Sequence, residues 1–561
     1  MKHTVLLIIM SLLFIQCVSV KQKVKSAPKT TITTTKNVTK SKPKLVVGIV
    51  VDQMRYDYLT RFKGKYGDGG FMRMLQEGYN CKNTHYNYIP TYTGPGHASV
   101  YTGTTPENHG IIANDWYDKY AKKEVYCASD PNQSSVGVEG QWAGKMSPHR
   151  MQTTTVTDQL RLDTQKRGKV IGIAIKDRGA ILPAGHAANG AYWFYGKAKG
   201  DWITSTYYTN ELPGWVQRFN AADKAEKYLK TWNTMYDINS YVESDADLNA
   251  YEATFKGKAN ATFPYELANL QAQNGGFDIL KATPYGNSLT TDFAIAAILG
   301  ENLGKDEHTD FLAVSYSSTD YVGHRFGVNS VEIQDTYLRL DKDLERLFAT
   351  LDTEVGKGNY TIFLTADHAA VHVPSFLQDM KIPAGYFNHG DLKKHLTDFL
   401  NTTFGSDKLI ENMSSGQIFL DHTEIQKHNL SAKAIENALQ RELLNYDKIA
   451  KVYTRNTLMS SEFTYGIAAA VQRGFNQKRS GDVCYVLDIA TISYSRTGST
   501  HGTGFNYDTH VPLLFYGNGI QQGETLQRFN ITDIAPTISA LLEISLPNAA
   551  TGNPIESALK H

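Results

Sequence analysis

The sequence predicts an α/β fold, a central and mostly parallel sheet in a three-layer sandwich with helices on both sides. Two patterns carry this. Continuous apolar runs recur at wide intervals, as in strands buried on both faces. Amphipathic helical spacing lies between them, as crossover connections between parallel strands require.

The first run is "KLVVGIVVDQM", ending at Asp52. The others are "KVIGIAIKDR" (169–178), "DFLAVSYSSTD" (310–320), "YTIFLTADH" (360–368) and "HVPLLFYGNG" (510–519). Each reads as a strand over most of its length. The clearest helix carries Ile333, Tyr337, Leu340, Leu344, Leu347 and Leu351 on one stripe. Asn329, with Glu332 three residues on, is its expected cap. "GAYWFYGKAKGDWITSTYY" reads as a hairpin. The irregular stretches at about 190–290 and 385–480 read as insertions or a cap on one large domain spanning 44–554.

The N-terminus has a different character. Met1-Lys2-His3 precedes "TVLLIIMSLLFI", an apolar run with the length of a signal-peptide core and too short to span a bilayer. Residues 1–20 are therefore expected to be a signal peptide. Residues 21–43 are expected to be a disordered Lys/Thr-rich tether, with no acidic residue to offset the lysines. Export to the periplasm or beyond follows. Cys17 is a candidate lipid-anchor site, although Gln16 fits the usual signal poorly. The formal charge of +1 gives no field that would attract nucleic acid or an anionic membrane. Four cysteines make no disulfide scaffold; Cys81 and Cys127 either pair or remain buried thiols.

Four of the runs end in residues with chemistry: Asp52; Lys176-Asp177-Arg178; Asp320 with His324; and Asp367-His368. In open parallel sheets, ligands bind beyond the carboxyl ends of the strands, so these side chains should converge. Aspartate and histidine suit a metal such as zinc. Asp320 and His324 can act from one helical turn. His501, in the glycine-rich loop before the last run, is a further ligand candidate, and His510 reads as structural or as a support behind the ligands. The segment "IPTYTGPGHAS" (89–99) crowds hydroxyls among glycines and prolines, and it reads as a turn rather than a helix or central strand.

In this order, "DQMRYDYL", "PTYTGPGH", "TDYVGH", "TADH" and "STHG" resemble the alkaline phosphatase superfamily. "IKDRGAILPAGH", "GIIANDWYDK" and "RSGDV" narrow the resemblance to single-chain bacterial alkaline phosphatases of the PafA type. The resemblance implies Thr93 as nucleophile, through a phosphothreonine, with Gly94, Pro95 and Gly96 as the bend exposing it. It implies two zinc ions: one on Asp320, His324 and His501, the other on Asp52, Asp367, His368 and the Thr93 oxygen. Asn114, Lys176 and Arg178 then contact phosphate, and His97 holds the bend. Thr93 beside a divalent cation would lose its proton far more readily than in water.

The implied enzyme is a monomeric hydrolase of small phosphate monoesters, with no integral membrane span. Lys176 and Arg178, two apart in an extended chain, would point the same way and favour the dianionic monoester. A phosphodiesterase or nucleotide pyrophosphatase on the same fold is the alternative. A secreted metal-binding protein without catalysis is a more distant one, since such a protein should show gaps in the ligand set.

Overall fold

The computed structural model describes residues 42–197 and 199–560. The signal-peptide and Cys17 expectations, and all but the end of the tether, lie outside them. The core is an eleven-stranded sheet. Its longer strands are β1 (Leu45–Val51), β2 (Tyr79–His85), β3 (Val170–Ala174), β4 (Gly190–Tyr195), β5 (Asp201–Ser205), β6 (Asp310–Tyr316) and β7 (Tyr360–Thr365). An inserted segment contributes β8 (Ile410–Ser414), β9 (Gln417–Leu420), β10 (Ile449–Thr454) and β11 (Val483–Leu487) to a separate four-stranded sheet. The chain returns to the main sheet as β12 (Leu513–Gly517) and β13 (Gly523–Asn530).

Through these strands the main sheet runs β2-β12-β7-β1-β6-β3-β4-β5, with β13 beside β2. The centre, β7-β1-β6-β3-β4, is parallel. The flanks are antiparallel: β12 with β7 and β2, and β5 with β4. All seven residues of β1 are buried, as a strand covered on both faces requires. The β4–β5 pair is the expected hairpin, with Trp193 opposite Ile203.

The amphipathic stripe forms a helix over Val331–Leu351, and its apolar positions lie in the main core. Its cap is Ser330, not Asn329: the Ser330 hydroxyl accepts from Ile333 N at 3.1 Å, a reach that Asn329 is one residue too early to make. Trp202, Trp232 and Tyr265 pack into the same core, and Trp202 stacks on Phe293 with centroids 4.1 Å apart. The segment from 387 to 487 instead has its own core, with Leu392, Leu396, Ile435, Leu439 and Val483 at its centre. Cys81, Cys127 and Cys484 are free and buried. No described helix is long and apolar enough to cross a membrane.

Glu252 and Glu332 lie within reach of each other's charge, and Tyr265 OH donates to Glu332 Oε1. Burial, helped by Glu332, pushes Glu252 up to about 10; burial pushes Glu332 up to about 8. The folded chain thus keeps protons that the unfolded chain releases near pH 4, so stability falls as pH rises toward these values. Glu252→Gln is expected to raise the melting temperature at pH 9 by several degrees and to change it little at pH 4. Equal shifts at both pH values would contradict this.

Candidate active site

The carboxyl ends of β1, β3, β6 and β7 face one edge, because these strands are parallel. Asp52 follows β1 directly and is fully buried. Asp320 and His324 lie one turn apart on α1 (Ser318–Phe326), the helix that follows β6. Asp367 and His368 follow β7, where the chain has left the pleat, so neighbouring side chains can face one point. His501 arrives on the glycine-containing loop before β12. Two groups have ligand-type atoms within 4.8 Å of one another: Asp320–His324–His501 and Asp52–Asp320–His368. Asp367 Oδ2 stands 3.5 Å from His368 Nε2.

The histidines are oriented by backbone carbonyls. His324 Nδ1 donates to Ser499 O at 2.7 Å, His501 Nδ1 to Thr91 O at 2.8 Å and His368 Nδ1 to Ala369 O at 3.0 Å. Each Nε2 is thereby turned toward the carboxylates, the arrangement that second-shell partners give to metal-binding imidazoles. Burial, then the charge of His324, pushes His501 down to about 3. Burial, then His501, holds His368 well below its ordinary value. Their rings stack with centroids 3.4 Å apart. Burial raises Asp52 to about 6, whereas His324 and Lys176 outweigh burial at Asp320 and hold it well below the usual range. Asp52 Oδ1 and Asp367 Oδ2 are buried without a hydrogen-bond partner among the described residues. Such oxygens are costly unless a cation meets them. The donor set of three imidazoles and three carboxylates fits zinc.

Thr93 is buried at the first position of α2 (Thr93–Thr102). Its Oγ1 is 3.4 Å from both His368 Nε2 and Lys176 Nζ. The expectation of a non-helical turn at 89–99 is wrong from Thr93 onward, and Gly94, Pro95 and Gly96 are not a bend but the helix's first turn. Proline is tolerated there because the first N–H groups of a helix have no internal partner. Gly96 is required for another reason: a Cβ there would meet Asp367 O at 2.3 Å. Its absence lets the helix sit directly against the Asp367 loop. His97 spends both ring nitrogens inside the protein: Nδ1 donates to Thr93 O at 2.9 Å, and Nε2 accepts from Ser315 Oγ at 2.8 Å. His510 stacks on His85 and Tyr56 and joins neither ligand group.

Gly94 N donates to Asn114 Oδ1 at 2.7 Å. That fixes the amide and leaves Nδ2 as a free donor. The extended-chain argument for Lys176 and Arg178 fails: β3 ends at Ala174, and α3 (Asp177–Ala184) begins at once with Lys176 as its cap. Helix geometry, not a pleat, sets their directions. Lys176 Nζ donates to Asp52 Oδ2 and Asp320 Oδ2, both at 2.6 Å. Arg178 Nη1 donates to Tyr126 OH at 3.1 Å, and Tyr126 OH in turn donates to Asp177 Oδ1.

Gln53 was not anticipated. It is buried at φ 64° just after Asp52. Its N–H reaches Asp367 Oδ1 at 3.1 Å and its Nε2 reaches Asp320 Oδ1 at 2.6 Å. Gly323 makes room for it, since a Cβ there would lie 2.0 Å from Gln53 Oε1. A polar side chain directly after a doubly buried strand was the signal available.

A family model described as type I phosphodiesterase / nucleotide pyrophosphatase matches residues 46–510. A calcium-transporting ATPase of Myroides odoratus is 46% identical over 92% of this chain and 95% of its own. Alkaline phosphatase PafA of Elizabethkingia meningoseptica is also 46% identical, over 92% of this chain and 95% of its own. The crystal structure of wild-type alkaline phosphatase PafA matches with a TM-score of 0.89 at 45% identity, over 92% of this chain and 99% of that one. A variant of that enzyme, substituted at a threonine, an asparagine, a lysine and an arginine, matches equally well. With its fold and its sequence matched over nearly their full length, the chain belongs to the type I phosphodiesterase / nucleotide pyrophosphatase family, among the PafA-type alkaline phosphatases.

Proposed function

We propose that this chain is an exported, zinc-dependent alkaline phosphatase that hydrolyses phosphate monoesters through a phosphothreonine at Thr93. The observation that carries the reading is the meeting of Thr93 with Asp52, Asp320, His368 and Lys176 at one sheet edge. Asp320, His324 and His501 would hold one zinc, and Asp52, Asp367 and His368, with Thr93, the other. When bound, the two ions supply Lewis-acid stabilisation for the oxygens at either end of an in-line displacement.

The chain's own residues do the rest. Thr93 Oγ gives its proton to solvent and forms a bond to phosphorus as the bond to the alcohol oxygen breaks; the departing oxygen takes a proton from water. Water then cleaves the phosphothreonine and releases inorganic phosphate. The N-terminus of α2 favours negative charge at that position. Asn114 Nδ2 donates to a phosphoryl oxygen. Lys176 now pairs with Asp52 and Asp320; with a cation held among those carboxylates, the Lys176 ammonium would be free to meet a phosphoryl oxygen. Arg178 can grip two oxygens with its planar fork. The relative whose threonine, asparagine, lysine and arginine were substituted is an alkaline phosphatase, and Thr93, Asn114, Lys176 and Arg178 are the same residue types.

The family model's own description supports a second reading, phosphodiester or pyrophosphate cleavage. Two cations beside the phosphoryl group favour the dianion of a monoester over the monoanion of a diester. Rates on p-nitrophenyl phosphate and bis-p-nitrophenyl phosphate decide between them. Arg178→Ala is expected to lower kcat/KM for the monoester about 100-fold, from the loss of a charge-assisted pair, and that for the diester much less. A wild-type preference for the diester, or equal losses, would refute the monoester reading.

A further inference from the structure

Two cavities flank the site, and they differ in charge. One, of about 410 Å³, is walled by charged residues of both signs: Lys176, Arg178, Lys197 and Lys281 with Asp115, Asp177 and Asp278. The other, of about 270 Å³, has no lysine, arginine, aspartate or glutamate in its lining. It opens at His501 and at Tyr92, the residue before Thr93. The Tyr92 and His501 rings meet edge to face, with centroids 5.7 Å apart. Across the cavity stands Tyr485 of β11, its hydroxyl held by His389 Nδ1 at 2.8 Å. Ile89 and Ile492 add apolar wall.

We propose that this uncharged cavity is the leaving-group subsite and that it takes a neutral aryl or short apolar alcohol portion of the substrate. The proposal rests on the phosphomonoesterase reading above. Displacement in line puts the departing oxygen opposite the attacking one. Thr93 Oγ1 lies against His368 and Lys176. With Thr93 assigned above to the Asp52–Asp367–His368 group, the departing oxygen would face the Asp320–His324–His501 group, and His501 forms a wall of the cavity. Charge sorts the two cavities in the same sense: Lys176 and Arg178, the proposed phosphate contacts, wall the charged one, and the uncharged alcohol belongs with the tyrosines. Size narrows the class. At about 270 Å³ the cavity lies near the lower end of the roughly 300–1,000 Å³ of ligand pockets, room enough for a single or fused ring. Two tyrosine rings offer such a group stacked or edge contacts.

The test compares 2-naphthyl phosphate with ethyl phosphate, each variant being scored against wild type so that intrinsic reactivity cancels. Tyr485→Ala removes one wall of the cavity. Ser493→Trp fills the cavity from an exposed position at its rim, where folding is not at stake. Both variants are expected to lower the naphthyl-to-ethyl ratio of kcat/KM about tenfold, with inhibition by inorganic phosphate shifted less than twofold. A ratio within twofold of wild type in Ser493→Trp overturns the proposal, whatever Tyr485→Ala does. Failure of the underlying reading looks different: the wild-type enzyme then cleaves neither ester.

Discussion

Thr93→Ala is expected to cut turnover of a phosphate monoester by at least about 1,000-fold while leaving the fold intact. That is about 4 kcal/mol of barrier, the scale of losing a covalent nucleophile. The structural cost should be small. The Thr93 hydroxyl has only contacts at 3.4 Å, and α2 takes no side-chain cap hydrogen bond from its neighbour Tyr92. Acid-quenched enzyme should carry labelled phosphate in wild type and in Thr93→Ser, and none in Thr93→Ala. Activity within tenfold of wild type in Thr93→Ala would remove Thr93 as nucleophile.

Stripping the metal is expected to abolish activity and also to lower thermal stability. The reason lies in Asp52 Oδ1 and Asp367 Oδ2, buried carboxylate oxygens without a hydrogen-bond partner among the described residues, on two side chains whose charges oppose each other. Lys176 and His324 then have to offset Asp52 and Asp320. A ligand that binds only the folded state, at a thousand times its dissociation constant, contributes about 4 kcal/mol. Dialysis against EDTA should therefore lower the melting temperature by several degrees, and added zinc should restore both stability and turnover at two ions per chain. Metal content well below two after zinc loading, or full activity after hours in EDTA, would rule out the two-zinc site.

What could be read from the sequence was decided by how local the cause was. Strand runs and the stripe of the Val331–Leu351 helix are written in periodicity, and they stood where expected. The clustering of Asp52, Asp320 and His368 followed from one rule about parallel strands, and the geometry brings them together. The first turn of α2 was hidden because its glycines and proline look like a loop. Gly96 is there for an approach to Asp367, 271 positions away in sequence, and no local pattern announces that. The directions of Lys176 and Arg178 depended on where β3 stops, and strand ends are the least legible part of a sequence. Gln53 acts only through two carboxylates supplied by distant segments.

The position of β12 has a consequence in time. This strand comes from residues 513–517, yet it lies between β2, from residues 79–85, and β7, from residues 360–365. As the chain emerges from its N-terminus, β2 and β7 each wait with an open edge until almost the whole polypeptide has been made. Open edges of buried strands are templates for wrong partners. A chain that stops short of β12 lacks β13 as well, so β2 has no long strand beside it and β7 keeps a bare edge; such a chain is a candidate for aggregation, not a smaller working enzyme.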